Sequence, residues 1–370
     1  MDKLPPLPGD ILRAKDAIEM IPRTDLGPPI EVPEIPVEAR REGITEGDRI
    51  FYLTQIKRLK KDLNAIVLAH NYVPPDVQDV ADYIGDSLHL ARVGGNSNAD
   101  VLIEASVLFM NQILAVMKKP HQKVLAPSLK ALCSLAAHAD INKVLAWKRD
   151  YPEGKVISYV NTYVEIKAVS DICCGSGNAE KVIQYMAEKY PGHPLLFLPD
   201  VFLGLYATTV LQEMGQSIDR VWLMMGACHV HEQITPNHVR KQRMLHPGAA
   251  VVAHRECGCV SECLTLLKSG LVSRANMRVD STWGMIEFSK NTPHKKVIVA
   301  TTVTNIYPMS IAAPDKEFIP ANPEARCAFM EQNTLVNLYE SLRDIKYEIT
   351  VDPELAEKAR KPIERMLEII

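Results

Sequence analysis

Three cysteines set at a near-constant interval constrain this chain more than any other feature. Cys133 in Leu-Cys-Ser-Leu, Cys228 in Gly-Ala-Cys-His-Val-His and Cys327 in Arg-Cys-Ala-Phe-Met stand 95 and 99 residues apart, and each closes a similar stretch of strand and helix signals. A free cysteine taken singly is most often a small buried apolar group. Periodic placement sets a second possibility beside that one: three sulfurs meeting at one metal or cluster site between three copies of a small unit.

Short apolar runs keep the same period. Ile66-Val67-Leu68 leads into His70-Asn71-Tyr72, and comparable phrases lie at Lys155 to Asn161 and at Ala249 to Glu256; from Ile66, Val156 and Ala250 the intervals are 90 and 94 residues. Such runs, alternating with helical patterns, predict parallel sheets with helices on both faces. Further strands are expected at Val101 to Glu104, Val124 to Ala126, Leu195 to Leu198, Val221 to Met224 and Val297 to Ala300, the last with a weaker continuation. Ile50, Leu53, Ile56, Leu59 and Leu63 recur at the helical period and predict an amphipathic helix that leads in.

These signals divide the chain into a proline-rich extension over 1–48 and α/β units over 49–148, 149–240 and 241–370, the last carrying a C-terminal helix free to pack back on the first unit. The extension holds 8 of the 25 prolines, including Pro5-Pro6, Pro28-Pro29, Pro33 and Pro36, with a short helical candidate from Asp10 to Met20. It is expected to lie on the surface, partly in polyproline form.

In an open parallel sheet, ligands collect beyond the carboxyl ends of the strands. Each first strand ends in polar residues two apart: His70 with Tyr72, Tyr159 with Asn161, and His254 with Glu256. Side chains alternate with period two, so both members of a pair point the same way, and three pairs would line one central cavity. Each pair is followed by a small-residue turn: Gly85-Asp86-Ser87, Gly175-Ser176-Gly177-Asn178 and Ser281-Thr282-Trp283-Gly284. Hydroxyls and free N–H groups at helix starts attract carboxylate or phosphate, although a serine there is most often only an N-cap. Cys257-Gly258-Cys259 with Cys263 offers a rival metal spacing without a second half nearby, while the neighbouring side chains of Cys173 and Cys174 diverge on an extended segment.

Composition narrows the function classes. A formal charge of −3 gives no basic field for a nucleic-acid duplex. No apolar run reaches membrane-spanning length and Met1 to Met20 carries charges and prolines, so a cytoplasmic protein with reduced thiols is expected. Neither a Gly-x-Gly-x-x-Gly turn after a strand nor a Gly-x4-Gly-Lys-Ser/Thr loop occurs, so nucleotide binding is not indicated.

In its phrases the chain resembles the quinolinate synthase (quinolinate synthetase A) family. The likeness runs in order from about residue 46 to the C-terminus: Leu68-Ala-His-Asn-Tyr72, Val77 to Ser87, Cys133-Ser-Leu-Ala, Tyr159-Val-Asn-Thr162, Asp171 to Asn178, Leu198-Pro-Asp200, Gly226 to Glu232, Ala253 to Cys257, Ser281-Thr282 and Lys316 to Pro320. The resemblance implies three pseudo-symmetric three-layer α/β/α domains, each with a short parallel sheet, around a central cavity. One cysteine from each, Cys133, Cys228 and Cys327, would bind a [4Fe–4S] cluster with one open iron acting as a Lewis acid.

The activity implied is condensation of iminoaspartate with dihydroxyacetone phosphate to quinolinate, with loss of phosphate and two waters, and with iminoaspartate supplied by an L-aspartate oxidase or dehydrogenase. By similarity Tyr72 and Glu256 would move protons and His70 and His254 would donate to substrate oxygens. Ser87, Tyr159, Asn161, Ser176, Ser281 and Thr282 would hold carboxylate or phosphate. The chain departs from the family's usual wording at Gly175, Trp283, Glu104-Ala105, Phe202 and Ala328, and about ten extra residues lie between Glu256 and Ser281. These departures spare the ligands and bear on the substrate, leaving as alternatives a paralogous cluster-dependent dehydratase or condensing enzyme on another small carboxylate and a non-catalytic iron–sulfur sensor.

Overall fold

One strand order is repeated three times. The structure, a computed structural model, describes residues 6–21 and 26–369. Its strands are β1 (Ile11–Arg13), β2 (Ala65–His70), β3 (Tyr83–Gly85), β4 (Val101–Ala105), β5 (Lys123–Leu125), β6 (Lys155–Tyr159), β7 (Ile172–Cys174), β8 (Leu195–Leu198), β9 (Val221–Met224), β10 (Ala250–His254), β11 (Met277–Asp280), β12 (Lys296–Ala300) and β13 (Glu317–Pro320). They pair as β3-β2-β4-β5, β7-β6-β8-β9 and β11-β10-β12-β13, so each sheet places its second strand at one edge beside the first. Every pairing within these three sets of four is parallel.

Helices flank all three sheets, giving the α/β fold of three α/β/α units. The inner strands β4, β8 and β10 are buried along their whole length, as a parallel sheet covered on both faces requires. One apolar core runs continuously through the first and second sheets, from Val67 and Ile103 to Phe197 and Leu223, whereas the third sheet packs in separate clusters around Val251 and Val297. The amphipathic helix Glu46–Asp62 begins at Thr45, whose hydroxyl accepts from the Asp48 amide at 3.1 Å. Among the described residues no helix is long and apolar enough to cross a membrane.

The strands missing from the sequence reading are the short second strands β3, β7 and β11, together with β1; β13 is expected there only as a weaker continuation without bounds. Three or four residues are too few to display a period, and Gly85, Cys173 and Arg278 are not strong strand formers. The Asp10 to Met20 candidate divides into β1, which adds antiparallel to β9, and the helix Ala14–Met20, whose Ala14 and Ala17 are fully buried. The proline-rich segment is therefore more than a surface extension from that point on; Pro5 and the residues before it lie outside the described residues.

This N-terminal segment touches the chain within about ten residues of each of the three periodic cysteines. The Gly9 amide donates to the Met225 carbonyl at 2.7 Å, and Lys143 reaches Asp10 at 3.0 Å. The Leu26 amide donates to Glu232 Oε1 at 2.9 Å, and Gln332 donates to the Glu34 carbonyl at 2.8 Å. At the other end of the chain, the helix Pro353–Glu368 packs on Val164–Ala168, β7 and Leu108–Met117. There Asn178 donates to the carbonyls of Met366 and Ile369 at 3.0 and 2.7 Å, anchoring the turn that holds Ser176.

Burial of Leu26, with the two alanines and these bonds, is worth on the order of 3 kcal/mol. A chain lacking residues 1–36 is expected to lose about that much stability in equilibrium denaturation; an unchanged midpoint and slope would show the segment to be ornamental.

Candidate functional site

The three sheets turn the carboxyl ends of their strands toward one chamber, lined by side chains from all three units. Equivalent positions of the repeat supply its polar wall. His70, Tyr159 and His254 are the last residues of β2, β6 and β10, and Tyr72, Asn161 and Glu256 follow two residues later. All six line the chamber, as do Ser87, Ser176 and Thr282 from the turns after the second strands.

Ser281 does not line the chamber. Its hydroxyl accepts from the Gly284 amide at 3.3 Å and caps the helix Thr282–Asn291, the role a serine before an apolar helix most often has. The first turn works differently from its sequence reading: Asp86, whose side chain accepts from the His89 amide at 2.9 Å, is the cap, and this leaves the Ser87 hydroxyl at the chamber.

Cys133, Cys228 and Cys327 each lie four to eight residues beyond the fourth strand of a sheet, and all three line the same chamber. Burial pushes their thiols up to about 12, 11 and 12 respectively, so without a metal each holds its proton, which metal binding would have to displace. The loops that carry them are drawn close by glycine. A β-carbon at Gly226 would stand 2.6 Å from the Pro199 carbonyl oxygen, and one at Gly258 would stand 2.7 Å from that of Glu232.

The rival cysteines are elsewhere. Cys257, Cys259 and Cys263 are buried in the apolar core of the third unit, with Cys257 donating to the Ala300 carbonyl at 3.1 Å. Cys173 and Cys174 are buried in β7, and Cys173 Sγ lies 3.3 Å from the Ser158 hydroxyl.

A buried chain of hydrogen bonds connects the catalytic candidates. Tyr72 Oη lies 3.1 Å from Thr282 Oγ1 and 2.9 Å from Thr301 Oγ1; Thr301 Oγ1 lies 2.9 Å from His231 Nε2; and His231 Nδ1 lies 3.1 Å from Glu256 Oε2. The Tyr159 hydroxyl donates to the other oxygen of Glu256 in a short contact. His231 also stacks on His254, ring centroids 4.8 Å apart.

Electrostatics divide these groups into distinct states. Burial alone would push Glu256 up, yet the neighbouring histidines and the Tyr159 hydroxyl hold it down at about 2, so it is ionised. Burial likewise opposes charge on His231, while Cys228 and Glu256 raise the imidazole above its usual value; with Cys228 holding its proton, the Glu256 carboxylate is the charge that acts at neutral pH. His70 and His254 are pushed down to about 3, chiefly by burial, and are neutral donors or acceptors at ordinary pH. Burial and the Glu256 charge raise the Tyr72 phenol well above its usual value, so it holds its proton.

Two members of this network, His231 and Thr301, were not singled out in the sequence. His231 had a signal, being two residues beyond His229 in the Cys-His-Val-His phrase; Thr301, next to a strand end among other threonines, had none. Among the described residues, Cys228, His231 and Glu256 form the one group able to hold a single metal ion, with donor atoms within 4.8 Å of one another.

Residues 54–368 match the protein family described as Quinolinate synthetase A protein. A Pyrobaculum aerophilum protein named quinolinate synthase is 42% identical over 315 residues, covering 85% of this chain and 98% of its own. Proteins of that name from Thermus thermophilus and Nostoc punctiforme are each 38% identical, over 315 and 337 residues, covering 85% and 90% of this chain and 96% and 98% of theirs.

The electrostatic division has a direct spectroscopic consequence. A folded imidazole held near 3 binds a proton only well below pH 5, while one raised above its usual value keeps its proton through neutrality. In imidazole NMR of the chain, His70 and His254 are expected to show neutral shifts throughout pH 5.5–8 and His231 cationic ones. Midpoints near 6.5 for these three would contradict the arrangement.

Proposed function

The chain belongs to the quinolinate synthetase A family, enzymes of NAD biosynthesis, and from that premise we propose that it condenses iminoaspartate with dihydroxyacetone phosphate to quinolinate. One carbon–carbon and one carbon–nitrogen bond form, phosphate leaves, and two waters are lost. Each elimination needs a base to take a proton from carbon or nitrogen and an acid to protonate the departing oxygen. The observation that carries the proposal is the meeting of one cysteine from each unit with the Tyr72 to Glu256 network in a single chamber.

Cys133, Cys228 and Cys327 would hold a [4Fe–4S] cluster. The donor set suits it: three half-buried thiols line one chamber, and only Cys228 belongs to the group close enough to share one ion, so the sulfurs are spread wider than a mononuclear site. When bound, such a cluster with one iron free of protein ligands supplies a Lewis acid for a substrate oxygen or nitrogen.

The chain's own residues take the proton transfers. Ionised Glu256, oriented by the Tyr159 hydroxyl and balanced by His231, is the base; Tyr72, which keeps its proton, is the acid, fed through Thr301 from His231. These shifts fix the resting protonation states from which the two groups act, Glu256 ionised and Tyr72 protonated.

Neutral His70 and His254 donate to substrate oxygens, and Ser87, Asn161, Ser176 and Thr282 receive the carboxylates and the phosphate. Tyr159, committed to Glu256, orients the base as well as lining the substrate space. An imine hydrolyses readily in water, so an enclosed chamber supplied by an aspartate-oxidising enzyme in the cytoplasm suits this substrate.

Anaerobic reconstitution should give about four irons per chain, and Cys133→Ser, Cys228→Ser or Cys327→Ser should each abolish the cluster, since one missing thiolate leaves the site two ligands. Iron content unaffected by these changes would refute the ligand set. Incubation with oxaloacetate, ammonia and dihydroxyacetone phosphate should yield quinolinate; a loaded protein that makes none would favour a different small carboxylate as substrate. In the active protein Glu256→Gln and Tyr72→Phe should each lower turnover by about 100-fold or more with little change in iron content. Near-normal turnover in either variant removes that residue from proton transfer.

A further inference from the structure

One imidazole in the cysteine-bearing wall takes no part in the steps above. His229 follows Cys228 directly, is 8% exposed, and lines the chamber with Cys133, Cys228 and Cys327. Its Nδ1 lies 2.7 Å from Ser134 Oγ, on the residue after Cys133. Its ring meets Phe329, two residues beyond Cys327, edge to face with centroids 5.5 Å apart and planes at 87°. A single side chain thus joins the three loops that carry the cysteines.

The same ring has an unmet requirement. Nε2 is buried without a hydrogen-bond partner. A neutral imidazole carries one N–H and one lone pair; the Ser134 hydroxyl and Nδ1 can pair in either direction, and in the tautomer in which Ser134 donates, the ring proton sits on Nε2. A buried N–H left without an acceptor is destabilising, so such a group implies an acceptor that belongs beside it. The chamber wall around it carries sulfur, and a metal-bound thiolate or a bridging sulfide is a negatively polarised acceptor.

We propose that His229 is a positioning residue for the iron–sulfur cluster: held by Ser134 and Phe329, it donates its Nε2–H to a sulfur of the bound cluster. This rests on the cluster assignment made above. Hydrogen bonds to cluster sulfurs disperse their negative charge, which favours the reduced state and slows loss of iron. Ser134 then acts through His229 by fixing the tautomer, and Phe329 by fixing the ring plane.

The test uses the full chain reconstituted anaerobically, as wild type and as His229→Leu, His229→Gln and Ser134→Ala, with three readouts: iron count, reduction potential by EPR-monitored titration, and the rate of iron transfer to a chelator. The expected result is a lower potential and several-fold faster iron loss in His229→Leu, with a smaller shift in the same direction in Ser134→Ala. His229→Gln, whose amide N–H reaches toward the Nε2 position, should stay nearer the wild type. Potential and chelation rate equal to wild type in a loaded His229→Leu overturn the inference while leaving the cluster assignment intact. Should His229→Leu fail to load, Ser134→Ala decides, and wild-type values in that variant overturn the inference. A wild-type chain that takes up no iron overturns the cluster assignment and this inference with it.

Discussion

The convergence of strand ends is the constraint on which the rest of the molecule depends. A parallel sheet leaves its carboxyl-terminal backbone groups and the first side chains beyond them at one edge, and three sheets of the same strand order direct those edges to one place. His70, Tyr159 and His254 occupy equivalent strand ends in that arrangement, and Tyr72, Asn161 and Glu256 follow at the same offset. The repeat places different chemical groups at equivalent positions, so a symmetric scaffold yields an asymmetric chamber.

Burial in that chamber does two opposite things to ionisable groups. Where a group stands alone it is driven neutral, as with His70, His254 and the three thiols. Where two opposite charges face each other the pair survives, as with Glu256 and His231. The outcome is one ionised carboxylate, one phenol that keeps its proton and three thiols that keep theirs, all lining one chamber. Stability is set aside in favour of function here, since several polar groups are held away from water; the continuous apolar core of the first two units and the N-terminal segment crossing the cysteine loops offset that cost.

Much of this was legible in the chain. Strands β2, β6, β8, β9, β10 and β12 announce themselves as apolar runs because both faces of each are covered, and β8 and β9 begin and end where the pattern places them. The strand-end pairs follow from period two alone. Other parts were illegible for identifiable reasons. Strands β3, β7 and β11 are too short to carry a period, and β1 forms only because β9 offers it an edge. The Ser281 hydroxyl accepts from the amide of Gly284 at a helix start, a capping role that the residue type leaves open beside ligand binding.

The sequence by itself determined the threefold repeat, the α/β class, the three spaced cysteines and the polar pairs at strand ends, because each is a property of residue order and period. Only the tertiary structure decided which groups touch: Tyr72 with Thr301, His231 with Glu256, Ser134 with His229. Those partners are separated by up to 229 positions, and contact at that range comes from the packing of three units against one another, which no local pattern encodes.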